Sequence, residues 1–129
     1  STQNKFLVIF RGINTDYFDP STVTILEEDK LLKDWGLGRN KKLVLMPGRL
    51  STWKGQEVFI EAINLVNREL GYLPFHSIIL GSDQGRNVYK KKLIRLVEQH
   101  RLTNNIKFID AYSAKSLTPA SEEQIRKIA

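Results

Sequence analysis

Apolar and polar positions change period several times along the chain, and those changes mark out the elements. Residues 5–10, KFLVIF, form a short run with β-branched and aromatic content, which predicts a strand. Over residues 26–35, Leu31, Leu32 and Trp35 fall on one helical stripe, with Gly36 as a C-terminal stop. The polar turn GLGRNKK then leads to Leu43–Met46, a short apolar run broken by Pro47-Gly48. From 56 to 70, Phe59, Ile63, Val66 and Leu70 recur at three- and four-residue steps, an amphipathic helix closed by Gly71. Ser77–Leu80 is again short and apolar, the kind of strand buried on both faces of a parallel sheet. A helix over 87–101 turns Tyr89, Leu93, Leu96 and Val97 inward and Lys90, Lys91, Arg95 and Glu98 outward. Ile106–Ile109 forms a third short strand, and residues 117–129 read as a capped polar helix after Thr118-Pro119.

From residue 43 onward the order is strand, helix, strand, helix, strand, with strand cores about 30 residues apart, the period of right-handed βαβ units. The pattern predicts an α/β fold. Its core is the first half of a doubly wound, Rossmann-like parallel sheet in spatial order 3-2-1, with the strand at 77–80 in the middle. In such sheets ligands bind at the carboxyl ends of the strands, where the strand order reverses. Arg49, Lys54, Ser82 and Asp83 all fall at such ends.

The chain has 129 residues, 41% hydrophobic and 26% charged, which fits one soluble globular domain or part of one. No run reaches the roughly 18 apolar residues of a membrane span. No signal peptide is expected, and the chain opens on Ser1 rather than Met, as a trimmed piece of a longer protein would. With no cysteine there is no disulfide framework and no thiolate metal site. A cytoplasmic location is expected, with attachment to the inner membrane face left open. The net charge of +6 and a pI near 9.7 favour anionic partners without choosing among nucleotides, nucleic acid and acidic lipid.

Candidate chemistry concentrates in residues 43–57, LVLMPGRLSTWKGQE. A strand, a tight loop with two cations and a helix start make a seat for phosphate: free N–H groups and the helix dipole favour an anion there. Arg49 adds a planar fork and Lys54 a mobile point charge. A P-loop is excluded, because that motif needs glycine before its lysine and Ser or Thr after it, whereas Lys54 stands between Trp53 and Gly55. Gly36 and Gly38 precede a strand instead of following one, so they are not a dinucleotide fingerprint.

The segment GRLSTWKG resembles the G-R-[LF]-x-x-x-K-G motif of the GT-B glycosyltransferases, the large family 4 group that includes capsular and lipopolysaccharide sugar transferases. RGINTDYFDP is similar to the segment joining the two domains of those enzymes, through Gly12, Ile13, Asp16, Phe18 and Pro20, although Arg11 and Asn14 depart from it. IILGSDQG resembles the glycine turn after the family's second strand, with Asp83 in place of the second glycine, and FIDAY resembles the turn that contacts the nucleotide base. The likeness runs from about Gly12 to Ile109. It implies residues 1–24 as an interdomain-like segment and 25–129 as part of a nucleotide-sugar-binding domain, truncated relative to the full one. It implies a nucleotide-sugar donor whose diphosphate is held by Arg49 and Lys54 with Gly48, Gly81, Ser82 and Asp83. More weakly, it implies a base near Asp110, Ala111 and Tyr112. No cofactor, metal or catalytic residue is assigned. The family's later motif of two glutamates is not found. Glu61 and Glu69 match it in spacing only, on a helix where eight residues leave side chains about 80° apart.

The implied function is therefore sugar transfer to a glycan or lipid-linked acceptor by a fragment expected to be inactive alone. A missing half-domain, or self-association through the 43–46 strand edge, would complete the sheet. The alternatives are a basic module for an anionic partner, with an anionic membrane face kept open and nucleic acid disfavoured, and an inactive remnant. For single residues, the bland readings are packing for Phe18 and Trp53, a solvated face for Lys90-Lys91-Lys92, and surface or helix-end positions for His76 and His100. Asp83 is balanced between contacting a sugar hydroxyl and capping the helix at 87.

Overall fold

The computed structural model describes residues 7–110. The elements, in order, are a 3-10 turn at Pro20–Thr22, α1 (Ile25–Asp34), β1 (Lys42–Pro47), α2 (Gln56–Leu70), β2 (Phe75–Leu80), α3 (Val88–Gln99) and β3 (Ile106–Ile109). The three strands form one parallel sheet in the order β1-β2-β3. The register runs from Lys42 opposite Phe75 to Pro47 opposite Leu80, and from Ser77 opposite Ile106 to Leu80 opposite Ile109. This is the α/β arrangement that the strand–helix period predicts.

β2 explains its own apolar run. Alternate side chains point to opposite faces, and helices cover both. Ile78 and Leu80 meet Leu31 and Trp35 of the α1 region. Ile79, on the other face, meets Ile60 and Ile63 of α2 and Leu93 and Val97 of α3. On α2 the deepest apolar residue is Ile60, which the stripe of Phe59, Ile63, Val66 and Leu70 passes over; Leu70 itself is exposed. The helix turns its face by one residue because Gln56 is also buried in its first turn.

α1 begins where local chemistry says it should. Thr24 and Glu27 form a reciprocal capping box: the Thr24 hydroxyl accepts from the Glu27 N–H, and the Glu27 carboxylate accepts from the Thr24 N–H. Arg39 folds the following turn back onto the helix through Asp29, Glu28 and the Ile25 carbonyl.

One expected element differs. Leu7–Phe10 have no regular structure and are largely exposed. β-propensity describes fit to a paired, half-buried surface, and among the described residues this segment has no neighbouring strand to pair with. The helix expected over 117–129 lies outside the described residues. Phe18 is half-buried and meets Tyr17 edge-on, at 5.0 Å between ring centroids.

The pairing continues past the strand ends. The Gly48 N–H donates to the Leu80 carbonyl at 2.9 Å, the Leu50 N–H to the Ser82 carbonyl at 3.0 Å, and the Gly81 N–H to the Ile109 carbonyl at 2.9 Å. Gly81 is required by this approach: a Cβ built on it would stand 1.9 Å from the Gly48 carbonyl oxygen. Backbone would have to move to admit it. Gly81→Ala should therefore destabilise the fold by roughly 3 kcal/mol, read as a lower urea midpoint with an unchanged slope. An unchanged midpoint would show that the loops are free to part.

Candidate functional site

Two loops and one helix enclose a cleft of about 750 Å³ at the carboxyl end of the sheet. One wall is the β1–α2 loop, Arg49 to Trp53. The other is the turn after β2, from Asp83, continued by one side of α3. On that helix Val88, Tyr89, Lys92 and Arg95 fall at one-turn steps and so share a face.

The loop that carries Arg49 is held from three sides. Gly48 has φ +151°, a region that suits glycine. Leu50 is buried in the main core, and the fully buried Gln56 side chain donates to the Arg49 carbonyl at 3.0 Å. The Arg49 guanidinium then lies over the Trp53 ring, 5.6 Å from its centroid. Trp53 is 72% exposed, so the packing role expected of it is not what the fold shows.

Of the predicted phosphate residues, the cleft takes Arg49 and Asp83. Lys54 is exposed at the end of the same loop, its N–H bonded to the Ser51 carbonyl, and does not line the cleft. Gly48, Gly81 and Ser82 form the crossing of the two loops beneath it. Asp110 is elsewhere, paired with Lys90 at 3.5 Å. Ala111 and Tyr112 lie outside the described residues.

Asp83 does not cap α3. Its Oδ1 accepts from the Gly85 N–H at 3.2 Å, while the N-cap is Asn87, in the left-handed region with no side-chain cap bond. Asp83 is 7% exposed and its Oδ2 has no partner among the described residues.

The Ser51 hydroxyl is also buried without a directed hydrogen bond among the described residues, while the buried Tyr89 phenol lies beside the Glu57 carboxylate. The Asp83 and Ser51 oxygens thus bring two such atoms to one cleft. Each unmade bond costs roughly 1–3 kcal/mol, and a cluster of them marks a place where water or a ligand completes the structure.

Sequence reasoning placed the cationic weight of the site too narrowly. Arg86, Lys92 and Arg95 line the cleft beside Arg49. Spacing carried the signal: residues 88, 92 and 95 lie on one helical face, and Arg86 leads into it. The Lys90-Lys91-Lys92 run is not a uniform solvated face, since Lys90 pairs with Asp110 and Lys92 with Glu57 at 2.8 Å. The Lys92 ammonium holds the Glu57 carboxyl below its ordinary range, against burial, which raises it; the nearby Tyr89 phenol also lowers it. Among the described residues Arg49, Arg86 and Arg95 have no carboxylate in ion-pair range.

His100 closes the end of α3 and meets Glu61 at 2.8 Å, and no group of His, Cys, Asp and Glu among the described residues could hold a metal ion. Glu61 and Glu69 both lie within α2, exposed and away from the cleft. No described helix is long and apolar enough to cross a membrane.

A parallel α/β sheet with a cleft lined by cations over its carboxyl end is the arrangement of the doubly wound class. Residues 27–118 match the model of the family described as glycosyl transferases group 1, and the chain belongs to that family. It is similar in structure to a glycosyltransferase from Rickettsia africae ESF-5, with 25% identity and a TM-score of 0.79 over 95% of this chain. This chain spans 30% of the length of that one. No curated protein matches it.

Burial pushes the Tyr89 phenol up to about 12, with the adjacent Glu57 carboxylate adding to the rise. A raised folded value means that stability is fully present below the unfolded value near 10 and is lost as pH rises through about 12. Wild type should therefore lose stability across that window and Tyr89→Phe should lose less, as read by urea unfolding at stepped pH. Equal losses would show that the phenol is solvated.

Proposed function

We propose that this chain forms part of the donor-binding domain of a GT-B, family 4 sugar transferase. The enzyme would pass a sugar from a nucleoside-diphosphate sugar to a glycan or lipid-linked acceptor, in capsule- or lipopolysaccharide-type synthesis in the cytoplasm. The supporting observation is Arg49: a guanidinium without a carboxylate partner among the described residues, on a loop pinned at the carboxyl end of the sheet, lining the cleft.

In this reading the donor's diphosphate lies against Arg49. α2 begins close by at Gly55, in the left-handed region, with no side-chain cap, which leaves its first N–H groups for an oxyanion. Lys54, on the same loop, supplies a second charge as the ligand seats. The bond from the sugar's anomeric carbon to the diphosphate breaks, a bond from the acceptor oxygen forms, and the acceptor's proton leaves. Negative charge grows on the departing diphosphate, and fixed cations stabilise it there. Group membership and the strand-loop-helix setting support this reading over a general basic module, because ion pairs already occupy two lysines of the 90–92 run.

Titrating the chain with UDP, GDP and ADP while following Trp53 fluorescence tests the reading. At least one diphosphate should bind, and Arg49→Ala should weaken it on the order of 10- to 100-fold. Lys54→Ala should weaken it less, since its ammonium is exposed and outside the cleft. Equal affinity in wild type and Arg49→Ala would remove the diphosphate assignment.

A further inference from the structure

The diphosphate reading uses Arg49 and the start of α2, but it leaves the α3 side of the cleft unexplained. Arg86 and Arg95 lie on that side, neither paired with a carboxylate among the described residues, with Lys92 between them already bound to Glu57. Like charges gathered on one wall repel, and water screens only part of that cost. The cleft is also lined by the Trp53 ring, exposed and beneath the Arg49 guanidinium. The Asp83 and Ser51 oxygens, without partners among the described residues, belong to the same cleft.

We propose that the α3 side of this cleft binds a sugar unit bearing a carboxylate, a hexuronate, with the carboxylate on Arg86 and Arg95 and the ring beside Trp53. Each part of the ligand has a counterpart on the wall. Guanidinium groups pair with carboxylates through two parallel N–H bonds. An aromatic face takes the apolar C–H side of a pyranose ring. A buried carboxylate oxygen with a free lone pair accepts from ring hydroxyls, which a phosphate or a simple anion does not offer. A neutral hexose would satisfy the ring contacts but leave the arginines unpaired. An inorganic anion would satisfy the arginines alone.

The hexuronate could arrive on the donor or as the end of an acceptor glycan, and both bring the same chemistry. The inference rests on the sugar-transfer reading, and the test separates the two. The whole chain is titrated with UDP-glucuronate against UDP-glucose, and with a glucuronate-ended oligosaccharide against its carboxyl-reduced counterpart, by amide chemical shift. The acidic member should bind about tenfold tighter in at least one pair, and Arg86→Ala/Arg95→Ala should bring that ratio close to one. Both arginines are exposed, so the variant should keep the wild-type spectrum elsewhere. The pair that shows the preference identifies the source. No preference in either pair, or a preference unchanged in the double variant, overturns the hexuronate assignment even where UDP binds through Arg49. Loss of UDP binding with the preference intact would overturn the diphosphate reading alone.

Discussion

Two backbone loops meet at the carboxyl end of this sheet with no side chain between them. Gly81 leaves the space that the Gly48 carbonyl occupies, and hydrogen bonds from Gly48, Leu50 and Gly81 carry the parallel ladder beyond the strands. Backbone held this way has little freedom, so the residues that follow inherit a fixed direction. Arg49 is the first of them on one loop and Asp83 closely follows on the other. The cleft exists because the crossing keeps those two loops from collapsing onto each other or drifting apart.

The sheet around the crossing is stabilised by ordinary burial, with helices on both faces of β2. The cleft is not stabilised in that way. Among the described residues, its Asp83 and Ser51 oxygens are buried without partners and its three guanidinium groups have no carboxylate in ion-pair range. A fold accepts such costs where a ligand offsets them, and native cores elsewhere carry few. The Glu57–Lys92 pair borders the cleft and spends one cation on structure, which leaves the arginines as the groups free to meet an anion.

Arginine suits that position better than lysine would. Its fork fixes two bonds at once and stays charged at any relevant pH. Arg49 is further oriented by the indole beneath it, so less order would be lost on pairing with the proposed diphosphate. Lys54, exposed on the same loop, keeps the mobility of a point charge. The two cations of the motif thus differ in kind, one positioned in advance and one able to follow.

Local sequence determined the elements and the loop chemistry. The period of apolar positions set α2, β2, α3 and β3 to within a residue or two, because a side chain's face follows from helical or extended geometry alone. Gly48-Arg49 after a strand placed a cation at a sheet end for the same reason. Local sequence could not say that Leu7–Phe10 would lack a strand partner, since pairing depends on a distant neighbour. It could not say that Asn87, and not Asp83, would start α3, since that depends on how the turn folds. Nor could it gather Arg86 and Arg95 to the wall opposite Arg49, with Trp53 left exposed between solvent and guanidinium. Those groups are far apart along the chain. Only the crossing of two glycine-bearing loops brings them to one cleft.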